Sequence, residues 1–313
     1  MHLSATSEII INQVIILFLL MAVGGLARRK GLLNDTLSGG LTVILINISL
    51  PALIFKSFIF DFSWQLLQNG LLVLVLSVLV HILLFVIARI AFLRYGGAKK
   101  SVMMIAGAFP NAGFMGLPLV DAVFGQLGVF YASIFMIPYN LILWTYGQDL
   151  FCQERTGAPL LRRILAFSTT PPVLATFAGM LLFLLSINPP APATAALTML
   201  GGMTLPLSML IVGDKIAQIR PVDLVTDRDV YYTSLIRLLL APVATFAVLR
   251  TFTDDPIIAG ACITIEAMPP AVVAVLFAQM YNGDTTFASK CVVIQHALSL
   301  ITIPIMLILL IQK

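Results

Sequence analysis

Apolar residues run along this chain in long blocks separated by short polar connections. Residues 71–92, LLVLVLSVLVHILLFVIARIAF, approach the roughly 20 apolar positions needed to cross a bilayer. Ten such blocks can be read, at about 9–27, 33–58, 66–92, 101–123, 127–151, 164–187, 194–219, 230–252, 256–281 and 285–311. The only longer polar stretches are CQERTGAPLLRR (152–163) and QIRPVDLVTDRD (218–229). The pattern predicts an all-α polytopic membrane protein with no soluble domain. Residues 1–152 hold five segments, 153–163 form a short linker, and 164–313 hold five more.

Within these blocks, prolines interrupt the helices in matching places. ISLPALIF (48–55) resembles MTLPLSML (203–210), with Pro51 and Pro206 separated by 155 positions. AFPNA (108–112) resembles AMPPA (267–271), with Pro110 and Pro269 separated by 159 positions. Nearly equal offsets in segments two and seven, then four and nine, indicate an internal repeat. Each half has an odd number of spans, so the second enters the membrane in the opposite sense. Inverted repeats with broken helices are the architecture of secondary transporters, with the substrate near the midplane. The breaks would unwind segments four and nine where they cross, leaving backbone groups and half-helix N-termini to meet a carboxylate. The structural alternative is proline kinks whose freed groups are satisfied by neighbouring helices.

Composition agrees with a membrane domain: 60% of residues are hydrophobic and 10% charged, against about a quarter charged in soluble domains. The net charge of +4 does not point to nucleic acid, because the basic residues are sorted by side. The odd-numbered connections hold 14 of the 18 lysines and arginines, including Arg28 to Lys30, Lys99, Arg155, Lys215 and Lys290. Lys56, Arg250 and Lys313 fall on the other side, and Arg237 lies within a span. The positive-inside rule places the odd connections in the cytoplasm and both termini outside. MHLSATSE lacks the basic region of a signal peptide, so the first block reads as a permanent helix. Cys152, Cys262 and Cys291 have no metal-ligand spacing and read as buried, inert thiols.

Candidate site residues cluster at the breaks: Pro110, Asn111 and Gly113 at the first, Pro269 and Pro270 at the second. The Asn111 amide can contact an anion or a cation, or cap the second half-helix. Asn47, one turn before Pro51, can face the core or make an interhelical hydrogen bond. Glu266 lies three residues before Pro269, where an unpaired carboxylate costs roughly 3 kcal/mol. It can bind Na⁺ together with Asn111 and unwound carbonyls, exchange a proton, or hydrogen-bond the crossing helix. His81 and Arg237 are 156 positions apart, as are Asn140 and His296. Arg237 can counter a substrate carboxylate, or snorkel or pair with a nearby acid. Asp214 and Lys215 read as a solvated pair at a cytoplasmic helix end.

Four patches, NISLPALIF (47–55), FPNAGFMGLPLV (109–120), TLPLSMLIVGDKI (204–216) and EAMPPAVVAVLFAQMY (266–281), resemble those of the auxin efflux carrier family of bacteria and plants. The resemblance spans essentially the whole chain. It implies the fold of bile acid:sodium symporters, with segments 1, 2, 6 and 7 as a scaffold and 3–5 and 8–10 as a mobile core. There a glutamate before the corresponding break binds sodium, which Glu266 resembles. Bacterial members of this length resemble malonate or malate permeases, implying a multi-pass protein of the bacterial inner membrane that dimerises through scaffold helices. Plant members carry a long cytoplasmic loop where this chain has only 152–163, so a small organic anion fits better than auxin. No cofactor is expected beyond a coupling Na⁺ or H⁺. Alternatives are a sodium-coupled bile-acid-type symporter and an ion channel, although a channel needs no paired breaks. Enzyme motifs are missing: neither HExxH nor GxSxG occurs, and VGD (212–214) lacks an aspartyl partner.

Overall fold

The structure is a computed structural model that describes residues 2–147, 149–151, 168–218 and 227–311. The expected linker 153–163, with Cys152 and Arg155, lies outside the described residues. Those described form helices and contain no strand, only one isolated backbone bridge. Helices α1 (His2–Arg29), α2 (Asp35–Ser57), α3 (Trp64–Ala91), α4 (Gly97–Ala108) and α5 (Ala112–Ile142) make up the first half. Helices α6 (Pro171–Leu184), α7 (Ala191–Ala217), α8 (Arg228–Phe252), α9 (Pro256–Glu266), α10 (Val273–Met280) and α11 (Thr285–Ile311) make up the second. Seven of the described helices are long and apolar enough to span a membrane, and Pro171–Leu184 and Pro256–Glu266 are shorter apolar helices. On α1, Ile11, Ile15, Leu19, Val23 and Leu26 form an exposed stripe at helical spacing. Such a face suits lipid.

Local chemistry sets where the helices start and bend. Asn34 begins α2 by accepting a hydrogen bond from the Leu37 amide at 2.8 Å. Asp255 begins α9 by accepting from Ile257 and Ile258, with Pro256 at the first helical position. Three of the widened π-turns, Leu45–Ser49, Ala112–Gly116 and Ile236–Leu240, each end two residues before a proline. Pro51, Pro118 and Pro242 have no amide hydrogen and crowd the carbonyl one turn back, so the turn opens by one residue. Gly125, at φ 63° and ψ −159°, breaks α5 between 112–124 and 126–142. That conformation is essentially restricted to glycine.

Close packing joins the two halves. Gly24 of α1 lies against the Leu210 carbonyl of α7, and Gly213 of α7 against the Met21 carbonyl of α1. Neither position has room for a Cβ, so the two backbones touch. Ser49 and Thr204, the hydroxyl residues before the two Leu-Pro pairs, share a hydrogen bond of 2.8 Å. Phe58, which follows α2 directly, Phe130 of α5 and Phe183 of α6 pack together, with successive ring centroids 4.9 and 5.6 Å apart.

Candidate functional site: a crossover of two broken helices

Helix α4 ends at Ala108 and α9 at Glu266, and the extended segments that follow cross each other. Pro110 and Pro270 face each other in an antiparallel bridge. The Asn111 amide donates to Pro269 O at 2.7 Å, and the Ala271 amide donates to Phe109 O at 3.0 Å. In this pattern the flanking residues supply both hydrogen bonds, so the central prolines lose nothing by lacking an N–H. Tyr139 of α5 donates its hydroxyl to Pro110 O at 2.7 Å. The breaks therefore satisfy their freed groups on each other and on side chains.

Both helix C-termini converge on one cation. Arg237, on the π-turn of α8, is fully buried. One guanidinium nitrogen donates to Ala108 O at 3.0 Å. The other donates to Glu266 O and, at 2.6 Å, to Glu266 Oε2. Helix C-termini carry partial negative charge, so a guanidinium between two of them is well placed. The second carboxylate oxygen, Oε1, faces His81 Nε2 of α3 at 3.2 Å. That is ion-pair distance, although neither atom meets hydrogen-bond alignment. His81 Nδ1 lies 2.7 Å from Ser77 O, and its ring packs on Phe135 and Tyr139 with centroids 5.0 and 5.7 Å away.

On the other side of the crossover lies a cavity of about 720 Å³. Asn111, Ala112 and Gly113 form its wall at the start of α5, and Val272 and Val273 at the start of α10. Both half-helix N-termini thus open on one space, with their partial positive charge towards it. The wall extends past Asn140 to Lys215 and Gln218 at the end of α7, near Arg28 and Asp35. The Asn111 amide nitrogen is 3.5 Å from His296 Nε2, whose other ring nitrogen is held at 2.7 Å by Val292 O.

Four residues expected at the site, Pro110, Asn111, Gly113 and Asn140, line this cavity. Four others do not. Asn47 is exposed and donates to Val43 O, because it lies in the widened turn before Pro51, where an added residue rotates the helix faces. Pro269 and Pro270 are spent on the bridge. Glu266 is fully buried behind the wall. Its surroundings do not suit sodium: both carboxylate oxygens already face cationic or imidazole nitrogens, and Arg237 takes the Ala108 and Glu266 carbonyls. A hard cation needs several such oxygens to itself. Asp214, expected to be solvated, is buried beside Arg28 at 3.5 Å, Lys215 at 3.7 Å and Gln218 at 3.2 Å. Cys262 and Cys291 are free, buried thiols. Ser133, Tyr139 and Lys215 also line the cavity, unforeseen from the sequence. Only Lys215 carried a signal, within the VGDKI patch.

A multi-pass helical protein whose broken helices cross beside an internal cavity has the plan of a membrane carrier. Residues 9–307 match the family model described as membrane transport protein. The chain belongs to this family, that of the auxin efflux carriers. It is 24% identical to an uncharacterized transporter of Methanothermobacter thermautotrophicus, over 94% of this chain and 96% of that one. It is 23% identical to a Rhizobium meliloti protein named "Putative malonate transporter", over 85% and 84% of the two chains. An uncharacterized transporter of Methanocaldococcus jannaschii is 21% identical, over 93% and 96%.

Proposed function

We propose that this chain is a secondary carrier of small organic anions, mono- or dicarboxylates such as malonate or malate, which binds its substrate at the crossover and works by alternating access. The observation that carries this reading is the pair of half-helix N-termini, at Ala112 and Val273, on the wall of one cavity. Their positive ends favour a carboxylate, while the negative C-termini of α4 and α9 are turned onto Arg237. The printed name of the Rhizobium meliloti relative makes malonate the first substrate to try.

In this reading the chain has ten segments in two inverted repeats, 1–152 and 164–313, joined by 153–163. The Gly125 break supports counting 112–124 and 126–142 as separate segments. The Ser49–Thr204 contact and the bridged prolines support the repeat, since equivalent residues near a two-fold axis meet each other. Segments 1, 2, 6 and 7 serve as scaffold and the others as mobile core. The cavity lies between them, with Ile54 and Val212 on the scaffold side and Asn111 and Asn140 on the core side. Relative motion of two such bodies would open the site to alternate faces. The carrier sits in the bacterial inner membrane with both termini outside and pairs through its scaffold helices.

Counterflow tests the reading. Proteoliposomes loaded with excess malonate or malate should take up labelled external substrate transiently above equilibrium. Uptake that never exceeds equilibrium would indicate a pore, and no uptake of either acid would remove the substrate class.

A further inference from the structure

The cluster of His81, Glu266 and Arg237 stands behind the cavity wall, separated from it by Tyr139. The Tyr139 ring packs on His81, its hydroxyl holds Pro110 O, and its side chain lines the cavity. The chemistry of the partners fixes how many protons the cluster needs. His81 Nδ1 lies 2.7 Å from Ser77 O and 3.1 Å from Ser77 Oγ, whose own hydrogen is donated to Phe135 O, so both oxygens accept and Nδ1 carries hydrogen. Nε2 then meets Glu266 Oε1 at 3.2 Å. Without a further proton, an imidazole lone pair faces a carboxylate oxygen inside a buried site, which is repulsive. One shared proton makes the contact attractive, either as imidazolium with carboxylate or as imidazole with carboxylic acid. Arg237 stays charged in both cases. The cluster therefore carries a net charge of about +1 with this proton and about zero without it.

We infer that His81 and Glu266 hold the proton that couples transport, so that one H⁺ accompanies the anion bound at the crossover. This rests on the reading of the cavity as an anion site. A positive cluster behind the wall attracts the anion, and by reciprocity the bound anion raises the cluster's affinity for the proton. Release of either ligand weakens the hold on the other. Few other groups compete for the role. Arg237 of α8 has a fixed charge, and Tyr139 of α5 and Cys262 of α9 are the other titratable groups whose charge reaches Glu266. His296 of α11 faces Asn111 instead, and α4 brings no titratable side chain to this end. Sodium has no place here, because Arg237 already occupies the oxygens that would bind it.

The test uses the full-length protein in sodium-free proteoliposomes with labelled malonate. External pH is held constant so that the substrate's own ionisation does not change, and only internal pH is varied. Wild-type protein should first show counterflow at equal pH. An interior one pH unit more alkaline should then drive accumulation of up to about tenfold, and malonate entry should acidify a trapped pH dye. In His81→Gln, whose amide can donate to Glu266 but carries no titratable proton, accumulation and dye acidification should collapse while counterflow persists. His81→Lys, with a fixed charge, should behave likewise. Wild-type counterflow with no response to the pH gradient would overturn the inference and leave the anion reading intact. His81→Gln accumulating as well as wild type would also overturn it. Missing counterflow in the wild type would strike the anion reading itself, and the inference would fall with it. A wild type that ignores the pH gradient overturns the inference whether or not the variants fold.

Discussion

Replacing Arg237 by methionine removes a fully buried guanidinium that reaches three acceptors, Ala108 O, Glu266 O and Glu266 Oε2. Methionine fills much of the same volume, so the loss is chiefly of charge and hydrogen bonds. Breaking a buried ion pair by removing one partner costs about 3–5 kcal/mol. Each carbonyl left without a donor adds roughly 1–3 kcal/mol. These terms overlap, because a proton taken up by Glu266 would relieve part of the first. A loss of about 4 kcal/mol is therefore a reasonable centre, equivalent to a fall in melting temperature of roughly 6 °C for a chain of this size. Cys262 and Cys291 are fully buried, so a thiol-reactive fluorogenic dye can follow unfolding in detergent. The double variant Arg237→Met with Glu266→Gln should recover part of the loss, since no charge is then stranded. The reasoning fails if Arg237→Met melts within 2 °C or so of wild type, or if the double variant is no more stable than the single.

Further outcomes follow from other contacts. Gly213→Ala should cost about 1–3 kcal/mol, because a methyl there overlaps the Met21 carbonyl. Gly39→Ala, on α2 with open space around it, should gain about 0.5–1 kcal/mol; the same thermal assay compares them, and equal shifts would contradict the α1–α7 contact. Gly125→Ala should lose about 1–3 kcal/mol through backbone strain at φ 63°, visible as a lower melting temperature. Asn111→Ala should abolish malonate counterflow while changing stability by less than about 1 kcal/mol, since the polar contact its side chain makes is a long 3.5 Å approach to His296. Unaltered uptake kinetics in that variant would remove the side chain from the site.

Local features of the fold were legible, and long-range ones were not. Block length and proline position are properties of a short stretch, so the all-helical membrane character and the breaks at Pro110 and Pro269 could be read directly. Helix ends were less visible: α1 begins at His2 and not near residue 9, because hydropathy does not register a polar turn that stays helical. The same distinction holds at the site. Asn111 and Gly113 line the cavity because they sit at the break itself. Asn47 stands off the cavity wall because its facing depends on a π-turn that hydrophobic periodicity does not encode. Glu266 was recognisable as an acid at membrane depth, but its partners come from α3 and α8, far away in the chain. The offset of 156 between His81 and Arg237 was the one trace of their common target.

That offset also shows where the proposed symmetry stops. If the halves are repeats, His81 and Arg237 are equivalent arms, and both reach Glu266. The acid has no such equivalent. The two breaks are offset by 159 positions, which pairs Glu266 with Gly107. A Cβ at Gly107 would lie 2.9 Å from the Phe92 ring, with Thr233 on another side, so a second carboxylate has no space there. Two basic arms against a single acid leave one positive charge whenever His81 and Glu266 share a proton. With a second acid the cluster would be neutral when protonated and negative when not, and would repel an anion in the adjacent cavity. On the proposed reading, the departure from symmetry at Gly107 sets the sign of the field behind the crossover, while the two breaks supply the helix ends that line the cavity.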